Sequence, residues 1–179
     1  MKVGLNFRKA ITSAILSLSC VAVFAQDAGQ SAGGKWKMYE AEDKMTAARK
    51  VRFELEGDNY LRGADRKPRV VLFCNNGKFQ LGDFRPNVRI APPNRPGFWS
   101  QPQMEVTVRL NDSHSNHGWN WVKGEFLAMD KGTVRELIGA NIFKVELPTS
   151  QGVQIAEFSP ADLDTSLVSK ACGITPKKP

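Results

Sequence analysis

The sequence predicts a mainly β protein, an antiparallel β-sandwich with one or two short helices and a C-terminal helix disulfide-linked to the sheet. Three observations predict it. Apolar and polar residues alternate in Val51–Leu55 and Met104–Leu110, the period of a strand with one buried face. Clusters of Asn, Gly and Pro punctuate such stretches at short intervals, as turns between antiparallel strands do. Cys74 ends an apolar run and Cys172 ends a helical pattern, so a bridge between them would staple helix to sheet.

The elements follow in order. Met1–Ala25 reads as a secretory signal peptide, with a basic start at Lys2, Arg8 and Lys9, an apolar stretch and a small-residue end at Val23 and Ala25. A membrane anchor is the alternative, but spanning needs about 20 apolar residues and this stretch is interrupted by Thr12, Ser13, Ser17 and Ser19. A lipid-modified Cys20 is a second alternative. That signal usually carries Leu three residues earlier, where this chain has Ser17. Cleavage after Ala25 predicts a periplasmic or secreted protein with no stable membrane span. Gln26–Lys35 is rich in Gly, Ala, Ser and Gln and reads as a flexible leader. The sandwich domain is expected over residues 36–173, with a basic tail at 174–179.

Within that domain, Val51, Phe53 and Leu55 mark a half-buried strand. Arg69–Cys74 is a continuous apolar run, consistent with a strand buried on both faces. Asn75-Asn76-Gly77 predicts a hairpin turn, because Asn and Gly tolerate positive φ. Lys78–Leu81 returns as its partner. Arg85–Gln103 holds five prolines and reads as a loop or edge excursion. Met104–Leu110 is the clearest strand. Asn111–Gly118 reads as a polar turn, and Trp119–Met129 as one returning strand. Thr133–Ala140 predicts a short helix capped by Thr133. Ile142–Leu147 and Val153–Phe158 are strands. Ser159-Pro160 predicts the start of a last helix running to Lys170 and ending at Gly173.

Loss of the leader removes Cys20 and leaves Cys74 and Cys172 in an oxidising compartment, where they can pair. Two separate buried thiols are the alternative. A redox-active pair has no Cys-x-x-Cys motif to support it. The 25 basic residues fall to 22 on losing Lys2, Arg8 and Lys9, against 18 acidic ones, a net charge of +4. That suits contact with anionic surfaces. No nucleic-acid recognition motif accompanies it, and no feature calls for a cofactor or sets an oligomeric state.

Candidate chemistry is sparse. Asp112, His114 and His117 are close in sequence and could together ligate a metal. No Gly-x-Ser-x-Gly elbow occurs, and any serine–histidine relay must draw on His114 or His117. Scattered Asp and Glu residues offer no distinct carboxylate pair for glycoside hydrolysis. A binding surface is the remaining candidate: Arg85, Arg89, Arg95, Phe98 and Trp99 punctuate the proline-rich segment, and Arg and Trp are common binding anchors.

An ordered series of residues resembles the exported VasI/TagO-like accessory proteins associated with type VI secretion. The series is Trp36, Asp43-Lys44-Met45-Thr46, the Val51/Phe53/Leu55 strand, the apolar strand ending in Cys74, Val106–Asp112, Trp121, Ala156-Glu157-Phe158, and a terminal helix running into Ala171-Cys172. Phe73 stands where the family tends to have Arg before its first cysteine, and the 86–102 insertion is not a family feature. The resemblance implies a non-catalytic envelope accessory. The function expected is therefore a non-catalytic periplasmic binding module that contacts an envelope protein or cell-wall component. A small metal-dependent hydrolase using Asp112, His114 and His117, or a secreted inhibitor domain, are the alternatives.

Overall fold

A computed structural model describes residues 29–97 and 101–176. The expected signal peptide Met1–Ala25, and with it Cys20, lies outside these residues, as do Phe98 and Trp99. Eleven strands and two helices follow in chain order: β1 (Gln30–Ser31), β2 (Trp36–Glu42), β3 (Arg49–Glu56), β4 (Arg69–Asn75), β5 (Lys78–Arg85), β6 (Arg95–Pro96), β7 (Pro102–Leu110), β8 (Ser113–Val122), β9 (Phe126–Met129), α1 (Lys131–Leu137), β10 (Phe143–Thr149), β11 (Gly152–Phe158) and α2 (Thr165–Cys172). All strand pairings are antiparallel. The sheet order is β1-β2-β3-β4-β5-β9-β8-β7-β10-β11, with β6 attached to β7.

One continuous sheet curls until its ends meet across a shared core. The Trp36 indole donates to the Pro160 carbonyl at 3.0 Å. Asp58 N donates to the Glu157 carbonyl at 2.7 Å. The ring centres of Phe84 and Phe158 are 6.1 Å apart. Period-two sequence builds this core directly: Val51, Phe53 and Leu55 of β3, Met104, Val106 and Val108 of β7, and Phe143, Val145 and Leu147 of β10 all point inward and are buried. Each fully buried side chain of this kind is worth roughly 1.5–3 kcal/mol against exposure. The last strand would leave an open edge, which invites pairing with other chains. The segment after β3 covers it: Asn59 accepts from Glu157 N and donates to the Ile155 carbonyl, and Arg62 N donates to Gln154.

The helices close the core. Asp130 caps α1 by accepting from Thr133 N at 2.8 Å. α1 packs on β5, where the missing side chain of Gly82 admits it: a Cβ there would lie 2.7 Å from Val134 Cγ2. Asp164 caps α2, and Gly173 ends it in the left-handed conformation (φ 61°) that glycine adopts without cost. Cys74 and Cys172 are joined as a disulfide, which ties α2 to β4.

Several expectations need correction. Gln30 and Ser31 pair with β2, and Ala32 is buried in the core, so residues 30–35 are part of the fold rather than a flexible leader. Gly33 and Gly34, both at positive φ, turn the chain there. Ile174 is also buried in the core, so the domain runs past Gly173. The polar turn is only Asn111-Asp112; the residues from Ser113 on are strand, paired along the length of β7. Lys123 and Gly124, both at positive φ, break the expected single strand into β8 and β9. α1 starts two residues before Thr133, and α2 starts at Thr165 because Asp164 rather than Ser159 is its cap.

Candidate functional site

Two constellations stand out, on opposite faces of the sheet. The first lies on the outer face of β2–β5. Since Val51, Phe53 and Leu55 point inward, Arg52 and Glu54 point outward, and strand register carries this face across the sheet. Tyr39, Arg52, Phe73 and Leu81 form one transverse row. Lys37, Glu54, Val71 and Asp83 form the next. Arg69 and Arg85 are direct cross-strand partners in a third.

Cations and rings interleave here. The Arg52 guanidinium lies 4.4 Å from the Tyr39 ring centre. That of Arg85 lies 5.9 Å from the Phe73 ring and 5.2 Å from the Phe126 ring. Such stacking is worth about 0.5–1 kcal/mol when exposed. Glu54 ion-pairs with Arg52 at 2.9 Å and Arg69 at 3.6 Å. Arg85 donates to Asp83 at 2.8 Å. Asp83 is only 1% exposed. Burial pushes its carboxyl above the usual carboxylate range, against the hydrogen bond and charge of Arg85. Among the described residues, two buried atoms of this pair, Asp83 Oδ1 and Arg85 Nε, have no hydrogen-bond partner. A concavity of about 390 Å³ on the Tyr39–Arg52–Phe73 row is lined by Tyr39, Glu40, Lys50, Arg52, Phe73 and Gln80 among others.

The second constellation is on the inner face near the β7–β8 turn. Ser115 and His117 are two apart on β8, so they share a face, opposite Val108 and Val106. Ser115 Oγ lies 2.8 Å from His117 Nε2. His117 Nδ1 lies 3.1 Å from Asp130 Oδ2 and 3.1 Å from Thr133 Oγ1. Asp130 Oδ2 also accepts from the Thr133 hydroxyl at 2.6 Å and from the Trp119 indole at 3.2 Å. Partial burial of Asp130 opposes its ionisation. The Thr133 hydroxyl and N–H and His117 outweigh that and hold the carboxyl below its ordinary range.

No protein-family model, no curated protein and no solved structure matches the chain.

The structure scatters the residues singled out by sequence. Arg85 belongs to the outer cation–aromatic face. Arg95, on β6, is in the same transverse row as Asp83, linked through Gln103, Asn120 and Ala128. Arg89 sits apart, lining a concavity of about 520 Å³ with Pro92, Trp121 and Ser150. Phe98 and Trp99 fall outside the described residues. The predicted metal trio is not assembled. His114 and His117 are three apart on a strand and face opposite sides, Asp112 is in the turn, and His117 already meets Ser115 and Asp130. Among the described residues, no group of three His, Cys, Asp or Glu side chains is placed to hold a metal. Tyr39, Arg52, Arg69, Phe73 and Phe126 were not singled out as binding residues in the sequence. Arg52 and Glu54 were the outward positions of an alternating strand, but which residues meet them across the sheet depends on strand register.

Proposed function

We propose that this protein is an exported accessory module that binds an anionic component of the cell envelope, a protein or a cell-wall polymer, through the outer face of β2–β5. The observation that carries the reading is the direct opposition of Arg69 and Arg85. Like charges facing each other across strands are unfavourable. Glu54 and Asp83 offset them only in part, because Glu54 is shared with Arg52 and burial works against the charge on Asp83. An anionic partner relieves that repulsion. Tyr39, Phe73 and Phe126 add rings that hold the guanidinium groups in place, which lowers the entropy lost on binding.

Export is supported by the N-terminal pattern and is compatible with the disulfide. The ordered residue series similar to the VasI/TagO-like proteins supports the accessory role. Protein carrying Arg69→Ala and Arg85→Ala is compared with the unaltered chain in two assays: capture from solubilised envelope and co-sedimentation with purified cell-wall sacculi. Binding in either assay should fall at least tenfold in the variant and should weaken with salt. Undiminished binding by a variant with an unchanged circular dichroism spectrum rules this face out.

A further inference from the structure

We propose that Ser115 is an activated nucleophile, with His117 as its general base and Asp130 as the group that orients the base, acting on carboxylic esters displayed on accessible molecules. This stands apart from the binding face and does not depend on it.

Hydrogen-bond chemistry fixes the direction of the relay. An ionised carboxylate only accepts. Asp130 Oδ2 therefore accepts from the Thr133 hydroxyl, the Trp119 indole and His117 Nδ1–H. The single hydroxyl proton of Thr133 goes to Asp130 at 2.6 Å, so toward His117 Nδ1 its oxygen acts as acceptor. Nδ1 thus carries the imidazole proton, and in the neutral ring Nε2 is left with a lone pair. Ser115 Oγ, 2.8 Å away, donates to that lone pair. Nucleophile, base and orienting acid are each within hydrogen-bond reach of the next, the geometry general-base catalysis requires. Ser115 is exposed beside the β7–β8 turn, so an ester carried on a larger molecule can approach it.

The chemistry balances with water as co-reactant. Ser115 Oγ attacks the ester carbonyl carbon while its proton passes to His117 Nε2, and Asp130 stabilises the resulting imidazolium. The tetrahedral adduct breaks its bond to the alcohol oxygen, which takes the proton from Nε2 and leaves as the alcohol. The acyl group remains on Ser115. Water then attacks this acyl group, giving a proton to Nε2; the serine oxygen departs, recovers that proton, and the carboxylic acid is released.

A fluorophosphonate probe tests the first half-reaction on the purified chain. The serine oxygen forms a bond to phosphorus, fluoride leaves, and the serine proton is taken up by the base. Intact mass and peptide mapping should show one adduct, on Ser115. His117→Gln should slow labelling by about 10²-fold or more, while Ser113→Ala, on the same face without a histidine beside it, should leave it unchanged. Hydrolysis of p-nitrophenyl acetate should fall in parallel. A folded protein with no adduct on Ser115, or with labelling undiminished in His117→Gln, overturns the proposal.

Discussion

Cys74, in β4, is bonded to Cys172 in the last turn of α2, across 98 residues of sequence and with 5.1 Å between their Cα atoms. The bridge fastens the C-terminal helix to a strand in the middle of the sheet. A loop of that length corresponds to about 4–5 kcal/mol in the chain-entropy model. Replacing both cysteines by serine should lower unfolding free energy in urea by roughly 2–5 kcal/mol. Limited proteolysis of the reduced protein should cut first around α2. A variant with unaltered stability contradicts the clamp.

Gly82 is where the first helix meets the sheet. An added methyl would lie 2.7 Å from Val134 Cγ2 and 3.2 Å from Met129 Cε. Gly82→Ala should cost about 1–3 kcal/mol, the usual range for overpacking. Chemical denaturation checks it, and a neutral effect would mean α1 can move off β5 freely.

Asp130 links stability to acid. Its folded-state carboxyl titrates below the ordinary Asp value near 3.9. Its contribution is therefore present above about pH 3.9 and lost as pH falls through the lower folded value. Asp130→Asn keeps the Oδ1 helix cap but removes the charge and puts an amide nitrogen where Oδ2 accepts from Thr133, Trp119 and His117. Because the carboxylate is 44% exposed, screening limits the expected loss at neutral pH to about 1 kcal/mol. The gap between the two proteins should shrink below about pH 3.9. A gap that is constant with pH would show that the charge is irrelevant.

Much of the fold is legible in the sequence because burial on one face writes itself as period two. Val51–Leu55 and Met104–Leu110 fall on strands, and the Asn76-Gly77 turn has both residues at positive φ. Trp119 and Trp121 share the inner face. The misses have physical causes. Ser113–Gly118 looks like a turn because it is polar, yet backbone pairing with β7 makes it strand, and the inner face is open enough there for serine and histidine. Gln30–Ser31 looks unstructured because its two residues contribute backbone pairing rather than side chains. The site was hidden for a different reason. Arg69 and Arg85 are 16 positions apart in the sequence. Ser115 and Asp130 come together only through the β8–β9 return and the cap of α1.

The outer-face reading predicts a specific response to salt and substitution. Phe126→Ala removes one ring beside Arg85 and should weaken envelope binding by about two- to fivefold, the equivalent of the 0.5–1 kcal/mol of an exposed cation–π contact. Titration of the variant against solubilised envelope measures it. Equal affinity would leave Arg85 without need of its ring.

Site-specific photo-crosslinking addresses the central claim most directly. A benzophenone residue in place of Leu81 sits in the outer row with Tyr39, Arg52 and Phe73. One in place of Val153 sits on β11, outside that row, where Val153 is 63% exposed. With irradiated envelope extract, Leu81 should give a discrete adduct that disappears with Arg69→Ala and Arg85→Ala, and Val153 should give none. An adduct at Val153 alone, or one at Leu81 that survives loss of both arginines, contradicts the claim that β2–β5 is the binding face.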